Sequence, residues 1–318
     1  MTKRKKIAVT LGEPGGIGAE ITLKALLSDE VSRVCRPVVI GSAAVIEEAC
    51  QKLGIPLNPA LYDIMDCGEI RGRGFIKGRP TAEGGRDCVA YIKKATELAL
   101  RGDVEAIVTA PISKEAMKMA GFKWPGHTEM LAELTGTRDF AMVLSGGPIT
   151  VILVTIHTSL GSVPAMITKE RVLKTIVMAK KTCDIMGIKS PRIAVAGLNP
   201  HGGEAGMFGR EEIEEIGPAV EEARGRGIPV TGPYPPDTLF HKVYMGEFDI
   251  TVCMYHDQGL IPLKMIAMDK GVNMTVGLPF IRTSPDHGTA YDIAWQGKAN
   301  PSSMIAALKM AASSGRVL

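Results

Sequence analysis

Residues Ile7–Gly18 read IAVTLGEPGGIG. The run Ile7–Leu11 has the apolar, β-branched character of a strand, and Gly12-Glu-Pro-Gly-Gly-Ile-Gly18 is a turn leading into a helical stretch. The same unit recurs along the chain. Pro37–Gly41 (PVVIG), Glu105–Pro111 (EAIVTAP), Thr150–His157 (TVILVTIH), Arg192–Leu198 (RIAVAGL) and Asp249–His256 (DITVCMYH) also predict strands. Between them, Asp87–Leu100 places Val89, Ile92, Ala95 and Ala99 at helical spacing, and Lys169–Ile185 and Glu211–Ala223 read the same way. This alternation predicts an α/β fold with a largely parallel sheet. Such sheets take their ligands beyond the carboxyl ends of the strands, so chemistry is expected in the turns that follow these runs.

The first turn is not a nucleotide fingerprint. A G-x-G-x-x-G pattern counted from Gly16 and Gly18 would need glycine where Ile21 stands, and no Gly-Lys-Ser/Thr follows. It reads as a tight strand-to-helix turn that can still offer backbone N–H groups to an anion. No cofactor-binding residue is assigned from the sequence.

The chain has 318 residues, about two domains at the usual ~100–200 residues each. Hydrophobic residues make up 45% and charged residues 22%, a soluble globular composition. Lys and Arg number 37 against 34 Asp and Glu, a net charge of +3, which lacks the basic excess of a dedicated nucleic-acid binder. Aromatic residues at 5% leave few stacking platforms for single strands. The six cysteines form no C-x-x-C pair, which argues against a zinc ribbon or dithiol motif and for a reducing, cytoplasmic setting. The basic N-terminus MTKRKKIAVTLGEPGG carries too short an apolar stretch for a signal segment, and no window approaches the ~18 apolar residues of a membrane span. The expectation is a cytoplasmic small-molecule enzyme with neither a nucleic-acid nor a membrane partner. The one loop candidate for an internal boundary is Ser145–Pro148.

Three histidines end or follow expected strands: His157, His201 in Asn199-Pro-His-Gly-Gly-Glu204, and His256 in Tyr255-His-Asp-Gln-Gly259. Imidazole suits zinc and related divalent ions, and Glu204 and Asp257 are at hand to orient the rings. No close His pair fixes the geometry, and each histidine could equally be a polar loop or core residue. His127 and Thr128 lie in Trp124-Pro-Gly-His-Thr-Glu129, where they serve either as turn and helix cap or as substrate contacts. Asp237, in Tyr234-Pro-Pro-Asp-Thr238, fits a helix N-cap. Lys264, Asn273 and Arg282 fall within Ile261–Pro285. Two cations and an amide suit a phosphate monoester, although a lone Lys or Arg is equally a solvated surface charge. His241 reads as a structural helix residue, and His287 in Ser284-Pro-Asp-His-Gly288 has no specific role.

Taken together, Gly12–Gly18, Pro125-Gly-His-Thr-Glu129, Asn199–Glu204, Pro236-Asp-Thr-Leu-Phe240, Tyr255–Gly259 and Gly277-Leu-Pro-Phe-Ile-Arg-Thr283 resemble the 4-hydroxythreonine-4-phosphate dehydrogenase (PdxA) family over almost the whole chain. The resemblance implies a two-lobe fold like isocitrate and isopropylmalate dehydrogenases, with a cleft between the lobes. The first lobe is expected over 1–125 with 276–318 and the second over 126–275. It implies a homodimer, NAD or NADP as cofactor, and a divalent metal (Zn, Co, Mg, Mn or Ni) held by His157, His201 and His256 at a site shared between subunits. His127, Thr128, Lys264, Asn273 and Arg282 match positions that bind a small phosphorylated hydroxy acid. Asp237 matches an acidic residue near the reacting carbon, and Asp237 and Lys264 are the expected catalytic pair.

The implied reaction oxidises the C3 hydroxyl of 4-phosphohydroxythreonine and then removes CO2, as in pyridoxal phosphate synthesis. Two small-for-small departures, Gly15 and Gly202 where the family usually has alanine, leave the backbone roles open. Thr158-Ser-Leu-Gly161 differs from the pyridoxal branch and keeps a second substrate in view, 4-phosphothreonate (or the erythronate), which would give dihydroxyacetone phosphate. The reading from another class is an acyl-transfer or binding protein on a similar cleft.

Overall fold

A computed structural model describes residues 4–72 and 75–315; residues 1–3 of the basic N-terminal segment lie outside the described residues. The strands are β1 (Lys5–Thr10), β2 (Cys35–Gly41), β3 (Asp63–Asp66), β4 (Ala106–Thr109), β5 (Ala141–Gly146), β6 (Ile149–Leu153), β7 (Ile193–Ala196), β8 (Val230–Tyr234), β9 (Ile250–Cys253), β10 (Val272–Val276) and β11 (Ile281–Pro285). The chain divides into two compact units, Met1–Asp139 with Leu278–Leu318, and Phe140–Gly277.

In the first unit the strand order is β3-β2-β1-β4-β11, and every pairing is parallel. Ile7, Val9, Leu11, Ile40 and Ile107 are fully buried on these strands or at their ends, each contributing about 1.5–3 kcal/mol on burial. The helix Ala82–Leu100 begins at Thr81, whose side chain accepts from the Gly84 N–H at 2.9 Å, and it packs Tyr91, Ile92 and Ala95 into the core.

In the second unit the order is β10-β5-β6-β9-β7-β8. β5 runs antiparallel to both β10 and β6, and the remaining pairings are parallel. Leu144, Val151, Leu153, Ala196, Leu239, Val243, Cys253 and Leu263 form its core. The helix Lys169–Ile185 is capped by Thr168, which accepts from the Arg171 N–H, and it buries Val172, Ile176, Ala179 and Cys183 at helical spacing.

The expected α/β class is what the chain adopts, and all six expected strands are present: β1 and β2 begin two residues earlier than expected, and the other four are shorter. The Thr150–His157 run ends as β6 at Leu153; Val154 and Thr155 still donate to the Cys253 and Met254 carbonyls before the chain turns. The Asp249–His256 run ends at Cys253, and His256 is instead the first residue of the helix His256–Ala267. Of Ser145–Pro148, Ser145 and Gly146 end β5 and Gly147-Pro148 make the turn of the β5/β6 hairpin, with Gly147 at φ +56, so the stretch lies inside the second unit and not at a boundary. The expected Glu211–Ala223 helix is a π-turn, Glu212–Ile216, followed by an α-helix, Gly217–Gly225. Pro218 at that junction has no N–H to continue a regular ladder.

Candidate active site

Arg282 lies on β11 and is only 3% exposed. Its neighbour β4 ends at Thr109, whose Oγ1 accepts from Arg282 Nε at 3.2 Å and from Nη2 at 2.7 Å. Burial pushes the guanidinium pKa down to about 10, with Glu129 opposing the shift, so the charge persists at neutral pH. His127 opens the helix His127–Thr135. Its Nε2 is closed off from solvent and has no hydrogen-bond partner among the described residues. Burial, reinforced by the charge of Arg282, holds the imidazole pKa well below its usual value, so the ring is neutral. Thr128 is buried beside it. The helix cap is Gly126, so the expectation that Thr128 caps this helix is corrected.

In the second unit β6 and β9 are parallel neighbours with Leu153 opposite Cys253. The turns after them bring the rings of His157 and His256 to 5.8 Å between centroids, tilted by 42°. His256 Nδ1 lies 2.7 Å from Asp257 Oδ1, the orienting contact expected of Asp257. Both histidines line a cavity of about 610 Å³ whose walls include Leu160, Val163 and Tyr255. Two neighbouring imidazoles, one steadied by a carboxylate, fit two ligand positions of a divalent cation. Among the described residues of one chain, no three His, Cys, Asp or Glu side chains form a metal-binding group, so His201 does not join the pair within a single chain.

His201 follows β7 on an unusual turn. His201, Gly202, Gly203, Glu204 and Ala205 all have positive φ, at 53, 67, 84, 44 and 54°. For the three non-glycine residues this left-handed backbone costs on the order of 1 kcal/mol or more each. The chain entering this turn is anchored by Glu212, a buried carboxylate not anticipated from the sequence. Its Oε1 accepts from the N–H groups of Leu198 and Asn199, both at 2.7 Å, and its Oε2 accepts from Asn199 Nδ2 at 2.9 Å. Glu204 is exposed rather than folded under the loop. Gln258 ties the two histidine-bearing turns together: its Oε1 accepts from Met254 N and its Nε2 donates to the Gly197 carbonyl, both at 2.7 Å.

Asp237 is exposed in the first turn of the helix Pro236–Tyr244, where the helix dipole favours a negative charge. The N-cap there is Pro235, which corrects the reading of Asp237 as a cap. Lys264 is part-buried on the helix His256–Ala267, and Asn273 lies on β10, its Oδ1 buried without a hydrogen-bond partner among the described residues. His241 and His287 are exposed. The Gly12–Gly18 turn uses its glycines for packing: a Cβ on Gly12 would lie 2.2 Å from the Pro111 carbonyl oxygen, and one on Gly18 2.0 Å from that of Leu11. Beneath it, Glu13 is fully buried, and neither carboxylate oxygen has a hydrogen-bond partner among the described residues. Burial raises its pKa to about 7, partly offset by the nearby Tyr291 hydroxyl and the Gly15 and Gly16 amides.

A parallel α/β framework with polar, histidine-bearing turns at its strand ends defines a small-molecule enzyme. The chain matches the family model "Pyridoxal phosphate biosynthetic protein PdxA" over residues 33–311, and it belongs to that family. It is 50% identical over 323 aligned residues to a 4-hydroxythreonine-4-phosphate dehydrogenase of Desulforapulum autotrophicum, spanning 97% of this chain and 95% of the relative. It is 45% identical to a D-threonate 4-phosphate dehydrogenase of Salmonella typhimurium, spanning 96% and 98%. Among solved structures, a 4-hydroxythreonine-4-phosphate dehydrogenase from Klebsiella pneumoniae superposes with a TM-score of 0.88 at 44% identity, over 96% of this chain and 98% of that one. At the level of fold alone, the chain is also similar to a β-decarboxylating dehydrogenase from Thermococcus kodakarensis, with a TM-score of 0.51 at 15% identity over 95% and 80% of the two chains.

Proposed function

We propose that the chain is an NAD(P)-dependent, metal-dependent dehydrogenase that oxidises the C3 hydroxyl of 4-hydroxythreonine 4-phosphate and releases CO2 from the product. Family membership supports the reaction class, and one structural observation carries the site. Among the described residues, His127 Nε2 and Asn273 Oδ1 are buried polar atoms with no protein partner, and both belong to the residues expected to meet substrate. A buried polar atom left unpaired costs about 1–3 kcal/mol, a penalty that a polar ligand removes.

In this reading Arg282 receives the phosphate, its fork held flat by Thr109 and its charge kept by a pKa of about 10. Neutral His127 and Thr128 hydrogen-bond the same substrate without adding charge, and Lys264 and Asn273 complete its polar recognition. Binding energy from the phosphate is thereby spent on orienting C3. Asp237 takes up the hydroxyl proton and Lys264 supplies a proton to the carbon left by CO2. His157, His201 and His256 would hold a divalent cation, with ligands drawn from two copies of the chain. When bound, that cation would supply Lewis-acid polarisation of a substrate hydroxyl, and a nicotinamide would accept the hydride.

A homodimer is supported by the apolar row Ile261, Met265 and Met268, which is 59, 79 and 69% exposed on and just after the helix His256–Ala267. A cytoplasmic setting accords with six free cysteines, and no described helix is long and apolar enough to cross a membrane. The test is stoichiometric. Purified metal-loaded protein given 4-hydroxythreonine 4-phosphate and NAD or NADP should release reduced nicotinamide and CO2 one for one. Turnover without either product would overturn the assignment.

A further inference from the structure

We propose that Glu212 is a positioning residue for His201, fixing the left-handed turn that aims this histidine at its metal. The inference rests on the metal reading above and adds to it a group that touches neither metal nor substrate.

The turn has no regular ladder to hold it. Its five successive positive-φ residues, His201 to Ala205, lie in a region that L side chains avoid, so the surrounding structure must impose the conformation. Glu212 anchors the chain that enters the turn and lies directly against Gly203 within it. One carboxylate oxygen gathers the consecutive N–H groups of Leu198 and Asn199 at the exit of β7, and the other takes Asn199 Nδ2. Asn199 Nδ2 also reaches Glu211 Oε2 at 2.7 Å, so the residue two before His201 is gripped through both its backbone and its side chain.

The fit around the carboxylate is close on both sides. A Cβ at Gly197 would lie 3.0 Å from Glu212 Oε1, and one at Gly203 2.7 Å from Oε2. The turn therefore wraps the acid, with glycine at the points of nearest approach. Glu212 reaches inward because it opens the π-turn Glu212–Ile216 and is only 5% exposed, whereas Glu214 and Glu215 of the same acidic run stay at the surface or part-buried. An ionised carboxylate is an acceptor at both oxygens. A carboxamide of the same shape keeps one acceptor and presents an N–H₂ to Asn199 Nδ2, which is itself a donor. Glu212→Gln thus alters one contact without removing bulk.

The test is cobalt binding by the full-length protein, read by calorimetry and by the visible absorption of the bound ion. Wild type, Glu212→Gln and Asn199→Ala are stripped of metal and titrated with Co²⁺, and the thermal midpoint of each metal-free protein is recorded. The expected result is Co²⁺ affinity weakened about 10- to 100-fold in both variants, with a shifted visible band and near-wild-type metal-free midpoints. Should Glu212→Gln fail to fold, Asn199→Ala decides, since it loosens the same turn while leaving the buried acid in place. Wild-type affinity and spectrum in a folded variant would overturn the role of Glu212. Failure of the wild-type protein to take up Co²⁺ would instead overturn the metal reading itself, and this assignment with it.

Discussion

The rings of His157 and His256 stand 5.8 Å apart because β6 and β9 run parallel with Leu153 opposite Cys253, and each strand hands over to its histidine within four residues. The pair is therefore a product of strand register. Replacing either ring should remove one metal ligand without disturbing the sheet. We expect His256→Ala, and likewise His201→Ala, to lose bound metal and most turnover while keeping the wild-type circular dichroism spectrum. Metal analysis beside steady-state rates checks this, and full activity in a demonstrably metal-free His201→Ala protein would contradict it.

Arg282 is a buried fork set by Thr109. A charge-assisted hydrogen bond contributes about 1.5–3 kcal/mol, so Arg282→Lys, which keeps the charge and loses the planar fork, should lower kcat/KM for the phosphorylated substrate by about 10- to 100-fold. The loss should appear in kcat as well as KM, because the phosphate contact also orients C3, and it should be accompanied by weaker competitive inhibition by inorganic phosphate. Unchanged phosphate inhibition would place the phosphate elsewhere.

Glu13 carries a pH dependence whose sign follows from its raised pKa of about 7. The folded state binds a proton that the unfolded state has already lost between pH 4.5 and 7. The stability linked to Glu13 is thus fully present below about pH 4.5 and lost as pH rises through 7, on the order of 3 kcal/mol for a shift of this size. Asp87, Cys88 and Tyr291 are the titratable groups around it, and none supplies a compensating positive charge. Glu13→Gln should therefore raise the urea midpoint at pH 8 and leave it nearly unchanged at pH 4.5. An equal gain at both values would show that burial of the charge is not the cause.

The exposed row Ile261, Met265 and Met268 should be covered in solution by a second copy of the chain. Met265→Lys is expected to shift sedimentation from dimer to monomer and to lower metal occupancy in parallel, because the proposed site would draw its ligands from two copies. A wild-type protein that sediments as a monomer at micromolar concentration would rule out the shared site.

Much of the parallel framework was legible because its strands are nearly continuous apolar runs, as in Ile7–Leu11 and Thr150–His157. Among the described residues five strands, β3, β5, β8, β10 and β11, lie outside the expected set; β3 reads DIMD with alternate residues exposed, and β8 carries Gly232-Pro233 within it. The histidines at strand ends could be singled out because turns after strands are where ligands bind. What sequence could not show was burial of charge. Arg282 looks like any surface cation until β4 sets Thr109 beside it. Glu212 sits in the run EEIEE, which reads as a solvated face, and only the π-turn directs it inward. Thr109 gave no signal beyond its position at the end of a strand.

The proposed substrate is decided by kcat/KM for reduction of NAD and NADP with 4-hydroxythreonine 4-phosphate, D-threonate 4-phosphate and their unphosphorylated forms, on one preparation of metal-loaded protein. The highest value is expected for 4-hydroxythreonine 4-phosphate, with a fall of at least about 100-fold when the phosphate is removed, from the loss of about 3 kcal/mol of charge-assisted contacts. Faster turnover of D-threonate 4-phosphate would transfer the assignment to that substrate. No reduced nicotinamide with any of the four would rule out the proposed dehydrogenase activity.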